Sequence, residues 1–148
     1  MRDCEDREAI RQLMAAYNIN GDRGRVAELA DVFTEDGVIA FSGEETCGRA
    51  AILARLSGGG TRNPALQVSR HHLTTSLIEL DGDRATARSY FLVLTNRGLD
   101  HHGHYADRLV RTADGWRIAR REVRIDYQAS DTLYAPLHVR GRAPEHGR

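Results

Sequence analysis

The spacing of apolar residues is helical in the first part of the chain and alternating in the second. Between Asp3 and Tyr17, the residues Ile10, Leu13, Met14 and Tyr17 recur at helical steps with charges on the other face, which predicts an amphipathic helix. Asn18-Ile-Asn-Gly-Asp22 reads as a break, because asparagine and glycine accept left-handed backbone and commonly end helices. A second helix is predicted over roughly residues 23–33, burying Val26, Leu29, Val32 and Phe33. Thr34-Glu-Asp-Gly37 then turns the chain into a short strand at 38–41. A third helix is predicted over 49–56, ended by Ser57-Gly-Gly-Gly60, and this glycine run reads as a mobile loop bordering a site.

From Gln67 onward the pattern is that of strands. Residues 68–80 alternate and end at Asp81-Gly82-Asp83, a strong hairpin signal. Residues 84–95 are rich in strand formers such as Thr86, Tyr90, Phe91 and Val93. A second turn is predicted at 98–102, followed by a strand over 103–112, and Ala113-Asp-Gly115 turns that strand into 116–127. Strands joined by turns this short must be antiparallel neighbours. The folded domain is thus expected over 1–128, with 129–148 as a C-terminal tail, partly disordered over its last ten or so residues. Three helices followed by a meander make an α+β class. Long strands curl, and a curled sheet closed by helices leaves a blind pocket suited to an apolar ligand.

Composition narrows the partners. Arginine plus lysine and aspartate plus glutamate number 21 each, so the basic excess that phosphate neutralisation demands of a nucleic-acid binder is missing. No apolar run reaches the roughly 20 residues that cross a bilayer, and the charged N-terminus does not resemble a signal peptide. Cys4 and Cys47 lie far apart without CxxC spacing, so no structural disulfide is expected and the compartment reads as cytoplasmic. The expected partner is a small molecule, with neither nucleic acid nor membrane.

Several segments, in order, carry a resemblance. They are Tyr17 and Asp22 after the opening helix, Leu29-Ala-Asp-Val-Phe-Thr-Glu-Asp-Gly37, Arg70-His-His-Leu-Thr-Thr75 and Asp81-Gly-Asp-Arg-Ala-Thr-Ala87. Gly103-His-Tyr-Ala-Asp-Arg-Leu109 and Asp114-Gly-Trp-Arg-Ile118 with Arg121 complete the series. Together they resemble the SnoaL-like branch of the nuclear-transport-factor-2-like (NTF2-like) superfamily. The resemblance implies a cone of three N-terminal helices packed on a curved, mainly antiparallel sheet. Members include scytalone dehydratase, bile-acid 7α-dehydratase, a dehydrochlorinase and polyketide cyclases, several of which use an aspartate–histidine dyad. By resemblance that dyad falls on Asp22 and His71, with Tyr17 matching a tyrosine of the bile-acid enzyme and Arg121 an arginine of the dehydrochlorinase. Where scytalone dehydratase carries a second histidine on the next strand, Val93-Leu-Thr-Asn96 offers no strong acid or base. The resemblance also implies a homodimer or homotrimer.

Each candidate has a plainer reading. Adjacent strand residues face opposite sides, so only one of His71 and His72 can line a pocket; the family register selects His71. A neutral imidazole titrates near working pH and suits proton removal, and Asp22 would fix its tautomer. Asp22 equally suits the cap of the second helix. Tyr17 fits core packing or the polarising of a substrate oxygen. Arg121 fits a surface cation or a contact to a substrate anion. His101-His102-Gly-His104 with Asp100 could suggest zinc, but it is placed in the predicted turn and read as solvated, so no metal site is assigned. The glycine run lacks the lysine of a phosphate loop, and no GxSxG elbow occurs. The expectation is an enzyme using cofactor-independent general acid–base chemistry, a dehydratase, isomerase or cyclase acting on an apolar oxygenated metabolite such as a polyketide or terpenoid. Its rival is a non-catalytic ligand-binding or assembly subunit of the same fold.

Overall fold

A computed structural model describes residues 2–58 and 62–139. Helix α1 (Arg2–Asp22) and the short α2 (Val26–Ala30) lead into strand β1 (Phe33–Phe41), which returns through β2 (Glu44–Cys47) to helix α3 (Arg49–Ser57). Four long strands follow: β3 (Ser69–Asp81), β4 (Arg84–Thr95), β5 (Gly98–Thr112) and β6 (Gly115–Gln128). They form one open six-stranded sheet in the order β2-β1-β6-β5-β4-β3. Every pairing is antiparallel except β1 with β6, which is parallel. Among the described residues no helix is long and apolar enough to cross a membrane.

The helices cover one face of the sheet. Ile10 and Met14 of α1 join Leu29, Val32, Phe33, Ile39, Ile52, Ile78, Leu109, Trp116 and Ile118 in the main core. Buried apolar side chains of this kind each contribute about 1.5–3 kcal/mol. Asp6 ties the start of α1 to the sheet: it accepts a hydrogen bond from the Trp116 indole at 3.1 Å and another from the Arg111 guanidinium. A second cluster, Phe91, Val93, Tyr105 and Ile125, lies toward the other end of the sheet and surrounds a cavity. The uncovered face exposes Leu77, Tyr90 and Tyr127.

Several boundaries differ from the sequence reading. The expected break at 18–22 is helical, because Asn18 is buried against the Tyr105 hydroxyl and Gly21 lets Leu29 pack close by. The second helix is only Val26–Ala30, since Phe33 has been drawn into β1. The expected turn at 34–37 lies within β1, at the irregularity between Phe33 and Val38. The largest change concerns the turn expected at 98–102. Thr95 pairs directly with Gly98, so Asn96-Arg97 makes the hairpin and β5 begins at Gly98, whose φ of 102° suits glycine. Residues 129–139, expected as tail, pack against the sheet with Ala129 and Leu133 buried. Of the loop expected to be mobile at 57–64, residues 59–61 lie outside the described residues, as do 140–148, where the end of the tail was expected to be disordered.

Candidate active site

Alternation along the strands decides which polar groups reach the covered face. In β3, His71 lies on that face with Leu73, and His72 lies on the outer face opposite Leu92. In β5, His101, Tyr105, Asp107 and Leu109 point inward. His71, His101 and Tyr105 border a cavity of about 520 Å³ lined mainly by apolar groups, including Leu29, Ile39, Phe91 and Val123. Tyr17, Asn18, Asp22, His71, His101 and Tyr134 are among the polar side chains placed with them, and Arg55, Arg62, Ser69 and Tyr105 also line the cavity.

Asp22 sits at the last residue of α1, where the helix delivers its carboxylate to the start of β3. One oxygen accepts the backbone N–H of His71 at 2.8 Å, and the other meets His71 Nδ1 at 2.6 Å. The Asp22 side chain is 7% exposed and that of His71 26%, so the ring reaches the chamber while its acidic partner stays behind it. A carboxylate only accepts, so Nδ1 carries the proton, and whenever the ring is neutral Nε2 holds the lone pair. Asp22 therefore holds an imidazole rather than capping α2, whose first residue is preceded by Arg25.

A second pair was missed in the sequence. His101 Nδ1 lies 2.8 Å from Asp100 Oδ1, both side chains are buried, and the His101 ring centroid is 6.3 Å from that of His71. Burial lowers the His101 pKa, opposed by the neighbouring carboxylate, so its neutral form is favoured. Burial works against the Asp100 charge, but donors from His101, Leu133 and Thr132 hold its pKa below the ordinary value. The turn assigned at 98–102 hid this pair; the available signal was Asn96-Arg97-Gly98, which fits a two-residue hairpin. His104 is also within β5, bonded to Asp126 at 3.1 Å on the other side. The histidine cluster is therefore not a solvated turn. Among the described residues no group of three or more metal-binding side chains is arranged to hold an ion.

Tyr17 lies in the wall of the chamber, edge-on to Phe33 and Tyr105. Burial raises its pKa, partly offset by the positive charge of Arg121, so the phenol remains protonated. Arg121 lies beneath the lining rather than in it. It is fully buried, makes two 2.8 Å bonds to Asp107, and stacks its guanidinium over both tyrosine rings at 4.2 and 4.1 Å. Burial disfavours its charge, but Asp107 more than compensates and raises its pKa. Arg121 is thus buried behind Tyr17 and Tyr105 and is neither at the surface nor in the lining. Asn18, read from sequence only as part of a helix break, accepts the Tyr105 hydroxyl at 3.2 Å and lines the same wall.

Comparisons with known proteins agree with this architecture. A model of the SnoaL-like domain matches residues 2–122. An NTF2-like protein with a cystatin-like fold from Novosphingobium aromaticivorans is 33% identical, with 87% of each chain covered and a TM-score of 0.77. A candidate scytalone dehydratase from the same organism is 27% identical over 97% of this chain and 99% of that one, with a TM-score of 0.79. ActVI-ORFA of Streptomyces coelicolor is 27% identical over 80% of this chain and 96% of that one, with a TM-score of 0.71. The comparison with curated proteins gave no match. Matched along most of its length in both sequence and fold, the chain belongs to the SnoaL-like family of NTF2-like proteins.

Proposed function

We propose that the chamber is the active site of a general acid–base enzyme that eliminates water from, isomerises or cyclises a mostly apolar, oxygenated metabolite of polyketide or terpenoid type. The observation that carries this reading is His71, whose ring Nδ1 and backbone N–H both bond Asp22 at the edge of a cavity of about 520 Å³. The likeness to a candidate scytalone dehydratase and to ActVI-ORFA is in keeping with it.

His71 Nε2 takes a proton from a carbon next to a carbonyl, and the electron pair of that bond moves toward the carbonyl oxygen. Asp22 stabilises the imidazolium that forms. The Tyr17 hydroxyl donates to the oxygen on which negative charge develops, a role helped by the Arg121 cation behind its ring. In a dehydration the imidazolium returns its proton to the departing hydroxide, so the double bond and water form with no net change in protons. In an isomerisation the proton is returned to a second carbon. His101, neutral and 6.3 Å from His71 by ring centroids, holds a second hydroxyl or relays the proton.

The test is turnover by the purified protein of a panel of cyclic β-hydroxy ketones and polyketide-like aromatics, followed by mass spectrometry. Loss of 18 mass units or a shifted chromatographic peak, abolished in His71→Ala and in Asp22→Ala, is the expected result. Tight binding without conversion by wild type would instead favour a ligand-binding role, and full activity in both variants would overturn the dyad.

A further inference from the structure

We propose that Thr132 is a positioning residue for His101: the C-terminal strap, residues 129–139, supplies the hydroxyl that orients Asp100, so the second histidine is set correctly only when the strap is seated. The inference rests on the acid–base reading for its significance, but its geometry and its test stand apart from turnover.

One carboxylate serves both structures. Asp100 Oδ1 accepts His101 Nδ1 and the Thr132 hydroxyl, each at 2.8 Å, and Oδ2 accepts the Leu133 backbone N–H at 2.8 Å. The Asp100 backbone carbonyl accepts the Ala129 N–H at 2.7 Å. Asp100 is 3% exposed, so solvent cannot readily replace these donors. The direction of the chain of bonds is forced. The Tyr134 N–H at 3.1 Å and the Gln128 amide nitrogen at 3.2 Å can only donate to the Thr132 oxygen, so the single hydroxyl proton points to Asp100. With Asp100 purely an acceptor, His101 must carry its proton on Nδ1 and leave Nε2 free.

The strap also builds a wall. Tyr134 and Leu137 line the chamber, the Tyr134 ring stands edge-on to His101 at 4.9 Å, and its hydroxyl bonds the Ser69 hydroxyl at the start of β3. Gln128 fastens the strap further by donating to the Ala135 carbonyl and accepting the Leu137 N–H. Loss of the Thr132 hydroxyl acts on His101 in two ways of the same sign. Asp100 loses a donor and attracts the Nδ1 proton more strongly, and a looser strap admits water to a buried ring. Both favour the imidazolium. The groups facing His101 are Asp100 and His102 on its own strand, His71 on β3 backed by Asp22, and the Tyr134 phenol on the strap.

The experiment is nitrogen-15 NMR of the histidine side chains in the full chain, titrated with pH. Wild type is expected to show His101 as the Nδ1–H tautomer, titrating below the ordinary histidine value. Thr132→Val should keep the Nδ1–H tautomer and raise the His101 midpoint by about half a unit to one unit. Thr132→Ala should repeat the effect, and Thr132→Ser should restore wild-type behaviour. The His71 signals, held by Asp22, should remain unchanged in all three and report an intact fold. An unaltered His101 midpoint in the valine and alanine variants, or failure of serine to restore it, would overturn the proposal. An inactive protein with the predicted His101 shifts would instead count against the acid–base reading alone.

Discussion

Asp22 grips His71 at two points, taking its backbone N–H on one carboxylate oxygen and its ring Nδ1 on the other. The first bond fixes where β3 begins relative to the end of α1, and the second fixes the rotation and tautomer of the ring. Asparagine has one accepting oxygen and a donating nitrogen, so Asp22→Asn can still take the backbone N–H. It then offers an N–H to the ring, which favours the Nε2–H tautomer and removes the base from the chamber. The variant is expected to fold, to lose about 1.5–3 kcal/mol of stability, and to lose roughly 10²–10⁴-fold in kcat. Urea denaturation and steady-state kinetics on any accepted substrate check the two effects separately.

The ion pair of Arg121 and Asp107 is fully buried. Removing one partner leaves an uncompensated charge, so Asp107→Asn is expected to cost about 3–5 kcal/mol. The double replacement Arg121→Met with Asp107→Leu should cost much less, because no charge is stranded. Equal losses in the single and double variants, measured by chemical denaturation, would contradict this account of the pair.

Gly103 faces a neighbour too near for any side chain. A Cβ there would lie 1.9 Å from the Arg124 carbonyl oxygen, at the bulge between His102 and Gly103. Because the obstacle is backbone, Gly103→Ala is expected to destabilise by at least ~3 kcal/mol, the upper end of ordinary point-mutation costs. The displacement should also reach His101 and Tyr105 on either side, visible as shifted aromatic NMR signals.

The environment of His101 sets a pH dependence. Its folded pKa is lowered by burial, so on acidification the unfolded chain takes up this proton first. The stability that depends on neutral His101 is therefore complete above the unfolded value of about 6.5 and is lost as pH falls through the folded value. Asp100, whose folded pKa is also lowered, adds a loss of the same sign in stronger acid. Denaturation midpoints measured from pH 7.5 to 5 should fall for wild type and fall less steeply for His101→Gln.

Much of this was legible in the residue pattern, for reasons that also explain the gaps. Ile10, Leu13, Met14 and Tyr17 report α1 because one helix face is buried, and Asp81-Gly-Asp83 reports the β3–β4 hairpin because only certain residues make that turn. The meeting of Asp22 and His71 came from family resemblance, since no local rule links residues 49 apart. Asp100 and His101 were hidden by a turn placed a few residues late, which moved two buried groups into solvent. The strap was hidden because partners that fasten it, Asp100 and Ser69, are distant in sequence and it has no apolar period of its own. Arg121 could not be assigned to the interior from Arg117–Arg124 alone, because burial of a cation is decided by Asp107 on the neighbouring strand.

The central claim is that His71 removes a proton from carbon, and hydrogen exchange tests it without knowledge of the product. The protein is incubated in D₂O with a panel of cyclic ketones small enough for the chamber, and deuterium uptake next to the carbonyl is followed by NMR. The account predicts uptake well above the buffer rate for at least one ketone that binds, reduced to the buffer rate in His71→Ala and strongly slowed in Asp22→Asn. Ketones that bind in the chamber yet exchange no faster than in buffer, or undiminished exchange in His71→Ala, would contradict it.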